Sequence, residues 1–170
     1  MRTREGFCDR INKDTMFDEK REETVKSPQE AKGIPVEITM ETVLKQQGST
    51  ERHLFEEMGK LIYMNDSHYI RYEETYDQQT VPVTVKLAAD GVVSLIRRGD
   101  TTTRLRFDAD EWTQTNYHLP QGILPIRVST TQLEVSYYDQ PFSGKVAVNY
   151  SLYVREEKLG DYQLRLNFTT

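Results

Sequence analysis

Three residues that could hold a polar ligand fall on two predicted strands. Tyr72 and Glu74 are two positions apart and share one face of a strand, and Arg97 shares a face with Val93 and Leu95. If both faces point inward, a phenol, a carboxylate and a guanidinium meet near one mouth of a barrel. They could then orient a small ligand in an otherwise apolar cavity. The alternative is a structural ion pair that closes the barrel end.

The densest run of basic residues comprises Arg97, Arg98, Arg104 and Arg106. Arg104 and Arg106 alternate with apolar residues, so they are expected to project to solvent. An anion or an RNA backbone could dock there, or the run could be a solvated face matched by acids on neighbouring strands. Because the net charge is −5, where nucleic-acid binders usually carry a basic surplus, we expect no nucleic-acid partner.

The sequence offers little for catalysis. His53, His68 and His118 are widely separated and show no spacing that would place two of them on one strand face as metal ligands. Cys8 is the single cysteine, and no strained serine-nucleophile motif is present. We therefore predict no catalytic residue, no metal and no cofactor. A hydrolase-like enzyme would need a histidine and a carboxylate that converge in a cleft.

Period-two alternation of apolar residues begins at Ile34 and continues to the end of the chain. Asp90-Gly91 is a strong hairpin signal, and Gly59 indicates a bulge or bend. Roughly ten short strands at steady spacing, with no helix among them, predict an all-β fold, an antiparallel up-and-down closed barrel. The predicted strands are approximately 34–45, 53–64, 68–74, 81–87, 92–97, 101–107, 112–119, 123–129, 133–138, 146–154 and 162–168.

Residues 1–33 differ from the rest, since acids and bases are mixed almost evenly and large apolar residues are few. We expect a mostly disordered N-terminal arm followed by one β-barrel domain over 34–170. A translation start at Met16 would be compatible with this division. An arm outside the core and a thin-walled sheet with one wet face would account for the low mean hydropathy of −0.70.

The chain is expected to be cytoplasmic. A lone cysteine cannot form an internal disulfide, and no apolar run of the kind found in signal peptides follows the charged N-terminus. No stretch approaches the roughly 20 apolar residues needed to span a bilayer, so no membrane association is predicted.

Several segments resemble those of a known family. They are Tyr72–Glu74, Ile96–Asp100, Arg104–Phe107, Tyr117, Gly122–Ser129, Tyr150–Tyr153 and Gly160–Leu164. Together they resemble the YwiB-like proteins, small uncharacterised bacterial β-barrels grouped with the calycins, the lipocalin-like superfamily. The resemblance runs from about Ile34 to the end and implies a closed, lipocalin-like barrel. Leu105 departs from the family pattern, in which glutamine is frequent. The family implies no activity, and ligand binding follows only by analogy with lipocalins.

Two functions remain open. The first is non-catalytic binding of a small, partly apolar ligand inside the barrel, with Tyr72, Glu74 and Arg97 as the ligand-binding residues. The second is a protein-interaction or scaffold module that uses its outer face or its arm. A hollow barrel would favour the ligand, and a barrel filled by side chains would favour the interaction role.

Overall fold

The computed structural model describes residues 33–170, which form ten antiparallel β-strands. The strands are β1 (Ile34–Gln46), β2 (Ser49–Met64), β3 (Ser67–Tyr76), β4 (Gln79–Leu87), β5 (Val93–Arg98), β6 (Thr102–Phe107), β7 (Thr113–Leu119), β8 (Gly122–Tyr138), β9 (Ser143–Val154) and β10 (Glu157–Thr169). Apart from Gly33, the predicted arm and its alternative start at Met16 lie outside the described residues. Within the described part, no helix is long and apolar enough to cross a bilayer.

The strands form one meandering sheet in the order β6-β5-β4-β3-β2-β1-β10-β9-β8-β7. The ladder between β1 and β10, the first and last strands, brings the two halves of the meander together. Within residues 33–170 no ladder joins β6 to β7; along this seam the Thr113 hydroxyl donates a hydrogen bond to the Arg106 carbonyl oxygen (2.5 Å). The predicted all-β, up-and-down barrel of ten strands is therefore confirmed, with a single seam.

Tight turns explain why consecutive strands pair. The turns Gln47–Gly48, Asn65–Asp66 and Asp77–Gln78 each place two successive residues at positive φ. This is the two-residue geometry whose twist matches that of the flanking strands. The predicted hairpin at Asp90-Gly91 is also present, and Gly91 adopts a φ of 94° there.

The structure joins two of the predicted strands into one. Two strands were expected over 123–129 and 133–138, but β8 runs without interruption from Gly122 to Tyr138. Its register with β9 shifts between Thr130 and Gln132. Such a bulge keeps the ladder intact while it reverses the alternation of faces, so the period-two pattern is interrupted although the strand is not.

Inward-facing side chains pack the middle of the barrel. Alternate residues of the ten strands point inward, and the largest of those that are fully buried are Phe107, Phe168, Ile38, Met40, Ile70, Leu87, Leu164 and Leu166. Each contributes about 1.5–3 kcal/mol by leaving water. The lumen is thus largely filled by aromatic and aliphatic groups, as in a close-packed protein core.

The up-and-down order gives the barrel two unlike ends. The end where β3 turns into β4 and β5 into β6 holds Tyr72, Glu74 and Arg97, and we call it the polar end. The opposite end, where β2 turns into β3 and β8 into β9, is closed by stacked rings. We call it the aromatic end, and its members are Tyr63, His68, Tyr137 and Phe142.

Candidate functional site

Glu74 is the centre of a buried hydrogen-bond network at the polar end. It is only 2% exposed. Its Oε1 accepts a hydrogen bond from the Tyr72 hydroxyl (2.7 Å) and another from Arg97 Nη2 (3.2 Å), and its Oε2 accepts from Arg97 Nε (3.0 Å). The condition of the sequence-based hypothesis is met: all three side chains point inward, and they are in direct contact. Their ligand-binding role stays a prediction.

The network fixes the protonation states of its members. Burial alone would lower the pKa of Arg97, but the hydrogen bonds and the charge of Glu74 outweigh it and raise that pKa, so the guanidinium stays charged. Burial, and then the charge and hydrogen bond of Glu74, raise the pKa of Tyr72 well above its ordinary value. Tyr72 is therefore a neutral hydrogen-bond donor, and Glu74 and Arg97 cancel each other's charge. Such a trio holds strands in position.

Tyrosine rings extend the polar end toward β9 and β10. Tyr150 stacks on Tyr162 with ring centroids 5.0 Å apart and lies 4.5 Å from the ring of Phe107. Burial raises the pKa of Tyr150, while the charge of Arg97 acts in the opposite direction. The Arg97 guanidinium therefore lies near the hydroxyl groups of Tyr72 and Tyr150. The Arg97 side chain is 31% exposed.

A histidine and a carboxylate do meet, but on the exposed rim. Tyr76 shares a 2.6 Å hydrogen bond with His53 Nδ1, and Glu51 Oε2 lies 3.7 Å from His53 Nε2. These groups line none of the cavities described below. His68 is at the aromatic end, eight residues before Tyr76 on the same strand and thus about 27 Å away, and His118 is on β7. A hydrolase-like site would need a histidine and a carboxylate in a cleft, whereas His53 and Glu51 meet on the exposed rim. Within residues 33–170 no group of three or more His, Cys, Asp or Glu side chains could hold a metal ion.

Gly59 marks the point where β2 and β3 separate. The two strands pair only from Lys60 opposite Arg71 to the hairpin turn, although both continue past that point. A Cβ at Gly59 would lie 2.4 Å from the Arg71 carbonyl oxygen and 2.9 Å from Tyr72 Cβ, so only glycine fits where the strands last touch. Of the bulge or bend predicted at Gly59, the bulge is wrong, because the register with β1 continues unbroken through this residue.

Beyond this point the barrel wall opens into a cavity of about 750 Å³, which we call the wall cleft. Consecutive residues of both strands, Glu57–Lys60 and Arg71–Glu73, line it, so both backbones border the cavity. Its apolar members are Pro35, Met58, Ile62, Pro82 and Val83. Tyr72 belongs both to this lining and to the Glu74 network, so the network supports one wall of the cleft.

A smaller cavity of about 210 Å³ adjoins the wall cleft on the outer face and shares Arg71, Thr84 and Arg98 with it. We call it the basic hollow. Its lining includes four cations, Arg71, Lys86, Arg98 and Arg104, and no carboxylate. The basic run seen in the sequence is thus divided among three environments: Arg97 points inward to Glu74, Arg98 and Arg104 line the hollow, and Arg106 lies near Asp108 and Glu111.

The sequence did not identify the wall cleft. The closed barrel predicted from the sequence gave no indication of an opening between β2 and β3. The available signal was the mismatch in length between the two strands, 16 residues in β2 against 10 in β3, together with Gly59 at the break. The predicted site residues lie at the edge of this cavity rather than around a hollow lumen.

Comparisons with known proteins agree with this architecture. Residues 38–166, most of the chain, match the family described as a domain of unknown function (DUF1934). A curated relative, the uncharacterised β-barrel protein YwiB of Bacillus subtilis (strain 168), is 23% identical over 124 residues, which is 73% of this chain and 85% of that protein. The crystal structure of the ywiB protein from Bacillus subtilis superposes with a TM-score of 0.67 at 21% identity and covers 79% of this chain and 90% of the other. The chain therefore belongs to the DUF1934 family of YwiB-like β-barrel proteins.

Proposed function

We propose that this protein is a non-catalytic binding protein that takes a small, partly apolar ligand in the wall cleft. The observation that carries the proposal is the cleft itself. At about 750 Å³ it falls within the range of about 300–1,000 Å³ typical of ligand sites. Its lining combines apolar side chains, which give affinity, with polar groups, which give orientation. The charged members are Glu57, Lys60, Arg71, Glu73 and Arg98.

The location differs from the one expected from the sequence, which was the barrel lumen. Large apolar side chains occupy the lumen, so a ligand there would have to displace packed groups. The wall cleft requires no such displacement. In this proposal Tyr72, Glu74 and Arg97 act from behind the cleft: their hydrogen bonds join β3 to β5 and hold one wall in place before the ligand arrives.

Nuclear magnetic resonance can test this with octan-1-ol as a small, partly apolar probe. We expect the backbone amides of Met58, Lys60 and Ile62 to shift on titration. Met58→Glu, which places a charge on the apolar wall, should abolish those shifts. Leu54→Glu is the matched control, because Leu54 is an exposed apolar residue on the same strand face but outside the cleft. Equal effects of the two substitutions, or no shift in the cleft of the unaltered protein, would refute the proposal.

The open strand edges favour a second candidate, a protein-interaction module. Within residues 33–170, β2 before Gly59 and β3 after Tyr72 have no ladder partner on the sides that face each other. An unpaired edge can accept an extended peptide as an added strand. A peptide of alternating Glu and Val residues should then slow hydrogen exchange at the amides of these two edges. Its N-methylated counterpart, which cannot donate backbone hydrogen bonds, should not; equal protection by both peptides would rule out strand addition.

A further inference from the structure

The basic hollow is assembled by the register of four adjacent strands. Arg71 lies opposite Thr84, Thr84 opposite Ile96, and Ile96 opposite Arg104, so these residues form one row across the outer face. Thr84 and Ile96 are buried beneath the long cationic side chains although they point outward. The row forms the floor of the hollow, and the remaining lining comes from the rows on either side.

In the described part of the chain, Arg98 and Arg104 are not paired with a carboxylate in the way that other arginines of the barrel are. Arg97 is paired with Glu74, and Arg52 with Glu41. Among residues 33–170 no ion pair involves Arg98 or Arg104, and no carboxylate lines the hollow. Lys86 adds a third charge, with its Nζ held 5.7 Å above the ring of Tyr69. A local surplus of positive charge in a chain of net charge −5 calls for an anion as its counterpart.

The hollow adjoins the wall cleft, since Arg71, Thr84 and Arg98 line both cavities. A molecule that crosses these shared residues would reach from the apolar side chains of the cleft to the cations of the hollow. Guanidinium groups bind carboxylates and phosphates through paired hydrogen bonds. Arg98 and Arg104 line the hollow, and the lining contains no carboxylate that would compete with an anionic ligand for them.

We propose that the ligand of the wall cleft is an amphipathic anion, a molecule with an apolar chain and a carboxylate or phosphate head, and that the basic hollow binds its head group. This rests on the proposed function and specifies the chemical class of the ligand. The apolar chain lies against Met58, Ile62 and Pro82, and the head group lies between Arg98 and Arg104.

Three probes separate the parts of this proposal: monomeric octyl phosphate, octan-1-ol and inorganic phosphate, each titrated into the full chain and followed by amide shifts. Octyl phosphate should shift amides of both the cleft (Met58, Ile62) and the hollow (Ile96, Arg104). Its binding should be at least roughly tenfold tighter than that of octan-1-ol, because hydrogen bonds to a charged group add to the apolar contact.

If octan-1-ol binds in the cleft as tightly as octyl phosphate, the head-group site is wrong while the proposed function stands. If neither probe shifts the cleft amides, the proposed function fails as well.

Charge variants test the head-group site directly. The double substitution Lys86→Gln with Arg104→Gln changes two cations that line the hollow but not the wall cleft. It should weaken octyl phosphate binding roughly tenfold and leave octan-1-ol binding unchanged. The control is Lys45→Gln with Arg155→Gln, which changes the net charge equally at exposed positions outside the hollow. Equal weakening in both double variants would reduce the effect to overall charge and overturn the proposal.

A membrane is the other possible source of the same head group, and a last comparison distinguishes it. Vesicles that contain phosphatidic acid are sedimented with the protein, in parallel with the octyl phosphate titration. The proposal expects octyl phosphate to bind as a single molecule whether or not vesicles do. Binding to vesicles without any shift by monomeric octyl phosphate would indicate surface attraction alone and would contradict the head-group site.

Discussion

The two ends of the barrel are closed by opposite chemistry. At the polar end a carboxylate, a guanidinium and a phenol satisfy one another through three hydrogen bonds around Glu74. At the aromatic end the His68 ring lies 4.7 Å from Tyr63, 5.0 Å from Tyr137 and 5.4 Å from Phe142, centroid to centroid. One end depends on paired charges and the other on ring packing.

The difference between the two barrel ends is related to the position of the wall cleft. Stacked rings close the aromatic end over Phe168, which is itself fully buried. Directional hydrogen bonds at the polar end hold β3 to β5, whereas β2 departs from β3 at Gly59. The wall cleft opens on the side of the barrel where a network of three residues, rather than continuous packing, keeps the strands in place. The cavity proposed as the ligand site therefore adjoins the polar end.

Glu74→Gln should have the largest effect on stability. It keeps the shape of the side chain but leaves the partly buried Arg97 without a counter-charge, which should lower the free energy of unfolding by about 2–4 kcal/mol. Glu41→Gln is the control, because Glu41 pairs with Arg52 at 3.1 Å on the surface, where such pairs contribute less than about 1 kcal/mol. Urea unfolding measures both. Similar losses in the two variants would mean that the polar end does not depend on its network.

Gly144→Ala should have the next largest effect, at the aromatic end. A Cβ there would lie 2.4 Å from Phe168 Cζ, a rigid ring in a packed core, and such overpacking costs about 1–3 kcal/mol. Gly99→Ala is the control, since its Cβ would meet nothing closer than 3.8 Å. Thermal unfolding of the two variants compares them, and a Gly144→Ala protein as stable as Gly99→Ala would show that this end is loosely packed.

His68 should make the aromatic end the more sensitive to mild acid. Burial lowers the pKa of His68 below its ordinary value of 6.5, so the unfolded chain binds a proton more readily than the folded one. Stability contributed by this group is complete above about pH 7 and falls as the pH decreases through 6.5. His68→Gln should flatten the dependence of the unfolding free energy on pH between about pH 7.5 and 5.5. An unchanged slope in His68→Gln would contradict the effect.

Much of the fold could be predicted because the apolar period of two records which side chains face inward. The contact of Tyr72, Glu74 and Arg97 followed from the same rule, once their strands were taken to show the same face to the lumen. The sequence predicted two strands in place of the continuous β8, because the bulge near Thr131 changes the alternation of apolar residues without ending the strand.

The wall cleft could not be predicted because it depends on where two strands cease to pair. The alternation of apolar residues fixes the face of each residue but not the distance between neighbouring strands. On the N-terminal side of Gly59, β2 keeps its alternation because it still pairs with β1, although it no longer pairs with β3. The basic hollow could be predicted only in part from the sequence. Arg98 and Arg104 stood out as a run of charge, whereas their approach to Arg71 and Lys86 depends on the register of β3 to β6.

A crystal structure of the full chain grown with octyl phosphate tests most directly whether the wall cleft is a binding site. We expect the alkyl chain beside Met58 and Ile62 and the phosphate within hydrogen-bond distance of Arg98 or Arg104, with the Tyr72–Glu74–Arg97 contacts unchanged. Alkyl density inside the barrel lumen, or an empty cleft at saturating probe, would contradict it.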